Sequence, residues 1–162
     1  MDFLYWIEET GLSTWVRESP SLWAYPFILT LHTIGLSLLV GVSITVDLRL
    51  LGFGSGIPIA PLERFFPLMW FGFWINAISG VLLLIADASS KTVNPVFWVK
   101  LLLIGLAVWN IAIIRKKVFR SGLAEGATLP QNAKLLALTS LFLWIGATTT
   151  GRLMAYIGPE VF

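Results

Sequence analysis

His32, Lys100 and Arg152 are the residues whose type and setting carry chemistry in this sequence. His32 is the only histidine among 162 residues and lies inside the apolar run 30-TLHTIGLSLLVG-41. Lys100 sits in 95-PVFWVKLLLIG-105 and Arg152 in 144-WIGATTTGRLMAYIG-158, both apolar as well. An ionisable group within a membrane span costs about 2.5–3.5 kcal/mol on insertion scales, so it turns inward toward a partner, a cavity or a ligand. Imidazole is a proton carrier and a metal ligand, whereas ammonium and guanidinium groups hold anions.

Other chemistries lack their residues. A zinc site needs several His, Cys or carboxylate ligands, and the chain offers one histidine and no cysteine. Clustered methionine ligands for copper fail too, because Met1, Met69 and Met154 are the only methionines. There is no phosphate-binding glycine loop and no nucleophile elbow. The basic run 114-IRKKVFR-120 borders an apolar segment, where it reads as a lipid-headgroup and stop-transfer signal, so no nucleic-acid partner is expected.

The elements that must position these residues follow from composition. With 57% hydrophobic and 12% charged residues and a mean hydropathy of +0.84, the chain is too apolar for a soluble domain, which carries about a quarter charged residues. It reads as one all-α polytopic membrane domain, a four-transmembrane-helix bundle. Turn and charge signals bound the spans at about 23–46, 67–87, 95–114 and 134–157. Residues 2–18 mix Phe3, Leu4, Trp6, Ile7, Trp15 and Val16 with Asp2, Glu8, Glu9, Arg17 and Glu18. That segment is too polar to span and reads as an N-terminal amphipathic helix in the interface. The acidic N-terminus does not read as a cleavable signal peptide.

Arg49, Arg64, Arg115, Lys116, Lys117, Arg120 and Lys134 fall on one side of these spans, and Arg17 and Lys91 on the other. Basic residues are retained in the cytoplasm, so both termini are expected to face outward. At about 1.5 Å per residue, His32 is then on the order of 13 Å below Trp23. Lys100 is about 8 Å below Pro95 and Arg152 about 9 Å from Gly158 by the same rise. All three belong to the outer half. Asp87 is the acidic residue at comparable depth and can neutralise only one of them, so an anionic ligand between the helices is the simplest solution.

Rows of small residues recur every four positions: Thr33, Ser37 and Gly41; Gly72, Asn76 and Gly80; Ala147, Gly151 and Ala155. They read as packing seams. Gly35, one turn from His32, leaves a gap for a flat ring or another helix. Thr148, Thr149 and Tyr156 lie within a turn of Arg152 and can share its hydrogen bonding. Trp6, Trp15, Trp23 and Trp98 read as interface anchors near the outer boundary, and Trp74, Trp109 and Trp144 as packing residues that sit deeper than the interface.

The runs LHTIGLSLLVGVSITVDLRLLG, WINAISGVLLL, NPVFWVKLLL and LWIGATTTGRLMAYIG together resemble an uncharacterised family of bacterial four-helix membrane proteins over nearly the whole chain. More distantly, the first three resemble the bacterial four-helix protoporphyrinogen IX oxidase family and the copper-resistance D membrane domain. The oxidase motifs match Leu31 with His32, Leu48 with Arg49, Gly80, and Trp98 with Lys100 and Leu101; the fourth segment departs from the oxidase pattern. This resemblance implies haem b, with His32 on the iron and Lys100 as the second functional residue. It also implies a bacterial inner membrane. Haem suits the residues, since imidazole is a standard axial ligand and propionates supply the missing negative charge. Arg152, Gly35 and Gly80 complete the candidate cofactor site. One histidine leaves the iron five-coordinate, ligated by a second residue type, or shared across a dimer.

Each residue also has a plainer reading. A lone histidine is often a hydrogen-bonded structural residue, Lys100 can snorkel to the surface, and Arg152 can reach the headgroups. Two function classes therefore stay open. One is a haem-binding redox protein that passes electrons, or oxidises a porphyrin or quinol, near the outer leaflet. The other is a non-enzymatic assembly or partner subunit, or a small-anion carrier, without haem. The lipid bilayer is the expected environment, with a homo-oligomer or larger membrane complex compatible with either class.

Overall fold

A helix that leaves water must satisfy its backbone internally, and apolar runs of this length do so as α-helices. The computed structural model describes residues 2–120, 132–154 and 156. Its helices are α1 (Asp2–Glu8), α2 (Gly11–Glu18), α3 (Tyr25–Leu51), α4 (Phe66–Ile85), α5 (Ala88–Val93), α6 (Pro95–Ile114) and α7 (Ala133–Leu153). A 3₁₀ turn, Ala60–Phe65, leads into α4, and a π turn, Arg115–Phe119, prolongs α6. Four of these helices, α3, α4, α6 and α7, are long and apolar enough to cross a membrane. The chain is an all-α four-helix membrane bundle.

Local sequence sets the ends. Proline stands in the first turn of α3, α4 and α6, where its missing N–H is no loss. The Asn94 side chain caps α6 by accepting from the Val96 N–H at 2.9 Å, a favoured N-cap residue. Gly52, at φ 105°, ends α3 and donates its N–H to the carbonyls of the last turn, as a left-handed C-cap glycine does.

Helix α3 is central. It packs on α4 and on α7, α7 packs on α6, and α4 and α6 meet at few points. The main core joins Leu39, Phe66, Met69, Ala107, Ile111, Leu143, Trp144 and Ala147. A second cluster of Val46, Leu50, Leu62, Ile114, Val118, Ala133 and Ala137 fills one end. Large apolar side chains such as Phe71, Ile78, Phe142 and Ile145 are exposed around the outside, as expected of a lipid-facing surface.

Several expectations change. The first span runs to Leu51 rather than about 46, so Asp47 is inside it and buried. The amphipathic segment 2–18 is two helices, broken at Glu9–Thr10, where the Thr10 hydroxyl caps α2. A short helix, α5, links the second and third spans. Trp144 is buried in the core as expected, but Trp74 and Trp109 are exposed. The α4 row is a seam, whereas Thr33, Ser37 and Gly41 face outward. Thr33 and Ser37 donate to carbonyls of their own helix. Ala155 and Ile157, in the last part of the fourth span, and Gly158 just beyond it lie outside the described residues.

The inward seam of α3 carries Gly35 instead. A Cβ there would stand 2.6 Å from the Asn76 backbone nitrogen and 2.7 Å from the Gly72 carbonyl. At Gly72 it would stand 2.6 Å from Leu38 Cβ and 2.9 Å from the Gly35 carbonyl. The opposing atoms are mostly backbone, which cannot yield as a side chain does. Gly35→Ala should therefore cost about 1–3 kcal/mol, the usual scale of overpacking. Gly41→Ala, with nothing within 4 Å, should stay within about 1 kcal/mol of the parent. Equilibrium unfolding in mixed micelles compares the two, and equal losses would contradict a close-packed seam.

Candidate functional site

Where α4 and α6 diverge, the bundle encloses a cavity of about 390 Å³ whose walls come from α3 to α7. That falls within the roughly 300–1,000 Å³ of small-molecule sites. His32, Gly80, Lys100 and Arg152 all line it, as do Asp87, Lys91 and Met154. Four of the five expected site residues thus meet in one place. Gly35 does not line it: of the two fillers the gap beside His32 allowed, another helix occupies it, through the backbone of α4.

The imidazole is fixed from one side. His32 Nδ1 lies 3.0 Å from the Asn76 carbonyl oxygen and 3.2 Å from Ser79 Oγ. The Asn76 side-chain amide nitrogen also stands 3.3 Å from Nδ1, but the carbonyl is nearer and only accepts, which favours the neutral tautomer with the proton on Nδ1 and the lone pair on Nε2. The Asn76 side-chain amide donates to the His32 carbonyl at 2.8 Å, tying the two helices at this level. A Cβ on Gly80 would stand 3.1 Å from His32 Cε1, so the glycine leaves room for the ring itself. No hydrogen bond engages Nε2 among the described residues.

The charges are arranged unevenly. Lys91 donates to the Leu83 carbonyl at 2.7 Å and stands 3.7 Å from the Asp87 carboxylate. Asp87, expected to neutralise one of the buried cations, is thus engaged by a lysine one turn along. Lys100 is half-buried, its Nζ 3.7 Å from where a Gly151 Cβ would be. Arg152 is exposed at the mouth. Neither has a hydrogen bond or ion pair among the described residues. Thr148 donates to carbonyls of its own helix, of Trp144 and Ile145, and Tyr156 is exposed, so their expected sharing with Arg152 is not seen. The cavity wall holds three cations against one carboxylate, an excess of two positive charges.

The amino-terminal helices brace this end of the bundle. Ser13 Oγ donates to the Ile85 carbonyl at 2.9 Å, and Val16 packs with Ile28 and Ala86. Glu8 Oε1 accepts from the Ser89 N–H at 2.6 Å and from its hydroxyl at 2.8 Å. This latch holds α5, and hence Lys91, at the cavity rim. Sequence reasoning missed Asn76 as a partner of His32, although its place in the row with Gly72 and Gly80 marks it as inward-facing. Lys91 and Met154 could not be placed at the cavity without knowing how α5 and α7 end. No family model, curated protein or solved structure matches the chain.

The Ser89 N–H, with help from its hydroxyl and the Arg17 charge, holds the Glu8 carboxyl below its ordinary range despite partial burial. A depressed folded-state value means that the latch is intact above the ordinary glutamate range and is lost as pH falls through the depressed value. Hydrogen exchange of residues 2–8 and 88–93 should rise together on acidification. In Glu8→Gln that acid-dependent rise should be absent; exchange with the parent's pH profile would place the titrating group elsewhere.

Proposed function

We propose that the cavity binds a flat dianionic tetrapyrrole, haem b, and that the chain is a membrane redox protein. Its reaction class is electron transfer, or oxidation of a porphyrin or quinol. The observation that carries this reading is the His32 ring, with Nδ1 held by a backbone carbonyl and Nε2 unengaged, in a cavity with two positive charges in excess. Metal-binding histidines typically donate their other ring N–H to a carbonyl or carboxylate in this way, which fixes the tautomer and raises ligand basicity.

The donor set fits a metal that arrives with its own ligands. Among the described residues no group of three His, Cys, Asp or Glu side chains could hold an ion. Iron at His32 therefore needs further donors, and a porphyrin brings four nitrogens. When bound, haem supplies one-electron chemistry. His32 would ligate through Nε2, Lys100 and Arg152 would hold the propionates, and Gly80 leaves the imidazole room to stand. Met154 and Tyr25 are the cavity's other residues of iron-ligating types. Phe97, Leu29 and Leu84 give apolar walls.

We further propose that the cavity faces the outer leaflet of a bacterial inner membrane, with both termini outward. The seven basic residues from Arg49 to Lys134 gather at the opposite end of the described bundle, where α3 and α6 end and α4 and α7 begin. In intact cells, Arg120→Cys should resist a membrane-impermeant thiol reagent and react after permeabilisation. Labelling from outside would invert the arrangement.

The absorption spectrum of the detergent-purified protein, with haem supplied, tests the cofactor. A Soret band is expected, lost or strongly shifted in His32→Ala. Lys100→Met, which removes the charge, should weaken binding by about 1.5–3 kcal/mol, the scale of a hydrogen bond to a charged group, and Arg152→Lys, which keeps the charge and loses only the planar fork, by less. A native spectrum in folded His32→Ala would place the ligand elsewhere. No haem uptake by the parent would leave the cations to a small-anion carrier or a non-enzymatic partner subunit.

A further inference from the structure

At the other end of α3 lies a second polar cluster, which the tetrapyrrole reading does not use. Asp47 is 1% exposed, and neither carboxylate oxygen has a hydrogen-bond partner. Beside it are Ser43 and Ser140, their hydroxyl oxygens 3.4 Å apart, and Trp144 donates its indole N–H to Ser43 Oγ at 2.8 Å. Ser43, Asp47, Met69, Phe66, Ile111 and Ile114 enclose a cavity of about 10 Å³, the size of one water or one small ion.

The missing element here is positive charge. The walls from α4 and α6 are apolar, and the α7 residues bonded to Ser43, Ser140 and Trp144, are uncharged. Arg49, two residues along α3, donates to the Ile57 and Ser55 carbonyls in the following loop. Arg115 lies over the Phe66 ring, 5.3 Å from its centroid, with its Nε 3.9 Å from Glu63. Among the described residues no ion pair reaches Asp47. An ionised carboxylate left alone in a dry bundle is costly by several kcal/mol, and a water can satisfy its oxygens without cancelling its charge.

We propose that Asp47, with Ser43 and Ser140, is a buried binding site for one monovalent cation, a proton or Na⁺. In the first case the proton adds to one carboxylate oxygen, giving a neutral carboxyl that donates to a serine hydroxyl. In the second the ion is held by the two carboxylate oxygens and the two hydroxyls, a hard-oxygen set. The cluster of Val46, Leu50, Leu62, Ile114, Val118, Ala133 and Ala137 closes this end of the bundle, so exchange requires local opening of the helices. The site is independent of the tetrapyrrole, since Asp47 is fifteen residues, or about 22 Å along the helix, from His32.

The chain has three aspartates, Asp2, Asp47 and Asp87, which makes the test direct. Carbon-13 NMR of the full chain in nanodiscs, labelled at the aspartate side-chain carboxyl carbon, gives three signals. Asp2→Asn and Asp87→Asn identify two of them, so Asp47 is assigned even if Asp47→Asn fails to fold. At fixed neutral pH without Na⁺, an Asp47 signal at the protonated-carboxyl position assigns the proton. A signal at the ionised position that shifts with added NaCl but not with choline chloride assigns Na⁺, and Ser43→Ala or Ser140→Ala should then raise the concentration needed at least tenfold. An ionised signal that ignores Na⁺ overturns the proposal and passes the neutralising role to Arg115.

Discussion

The close contact of α3 with α4 at Gly35 and Gly72 is the constraint on which the rest depends. Two helices cannot bring backbone atoms this near if either carries a side chain at the crossing. Because they do, the Asn76 carbonyl reaches His32 Nδ1 and the Asn76 amide reaches the His32 carbonyl. A wider crossing would leave the imidazole unheld and its tautomer free. Packing and chemistry are coupled here through a pair of hydrogen atoms.

The bundle keeps its polar groups in two places, and they are satisfied differently. Around His32 the polar atoms are tied into a network of carbonyl, amide and hydroxyl, while Lys100 and Arg152 beside them have no counter-charge among the described residues. Around Asp47 the polarity reverses: a carboxylate lies beside serine hydroxyls, with no cation paired to it among the described residues. A membrane interior makes either excess expensive, so both clusters imply something beyond the described side chains. Their separation along α3 keeps one from neutralising the other.

Much of this was legible in the residues. Long apolar runs bounded by proline, glycine and charge gave the four spans, because hydropathy and capping are local properties. His32, Lys100 and Arg152 stood out because isolated ionisable groups in such runs are rare, and they line one cavity with Gly80. What remained hidden depended on rotation and depth. Thr33, Ser37 and Gly41 have the period of a seam, yet period alone does not say which face meets a neighbour; the seam passes through Gly35. Asp47 was missed for a related reason. The run VDLRLLG, with two charges shortly before a glycine, resembles a helix end, and only the continuation of α3 to Leu51 puts the aspartate inside the bundle.

The pairing of the helices has a consequence for assembly. Helices α3 and α4 form one hairpin and α6 and α7 another, each made of neighbours in the chain, while α3 against α7 is the principal contact joining the halves. Such local hairpins can insert into a bilayer as separate units before they associate. The imidazole and its hydrogen-bond partners belong wholly to the first hairpin, and Lys100 and Arg152 to the second. Neither half alone carries the cavity. The cavity is complete only when the two hairpins are packed together, and a ligand spanning both halves would act as a clasp that holds the finished bundle closed.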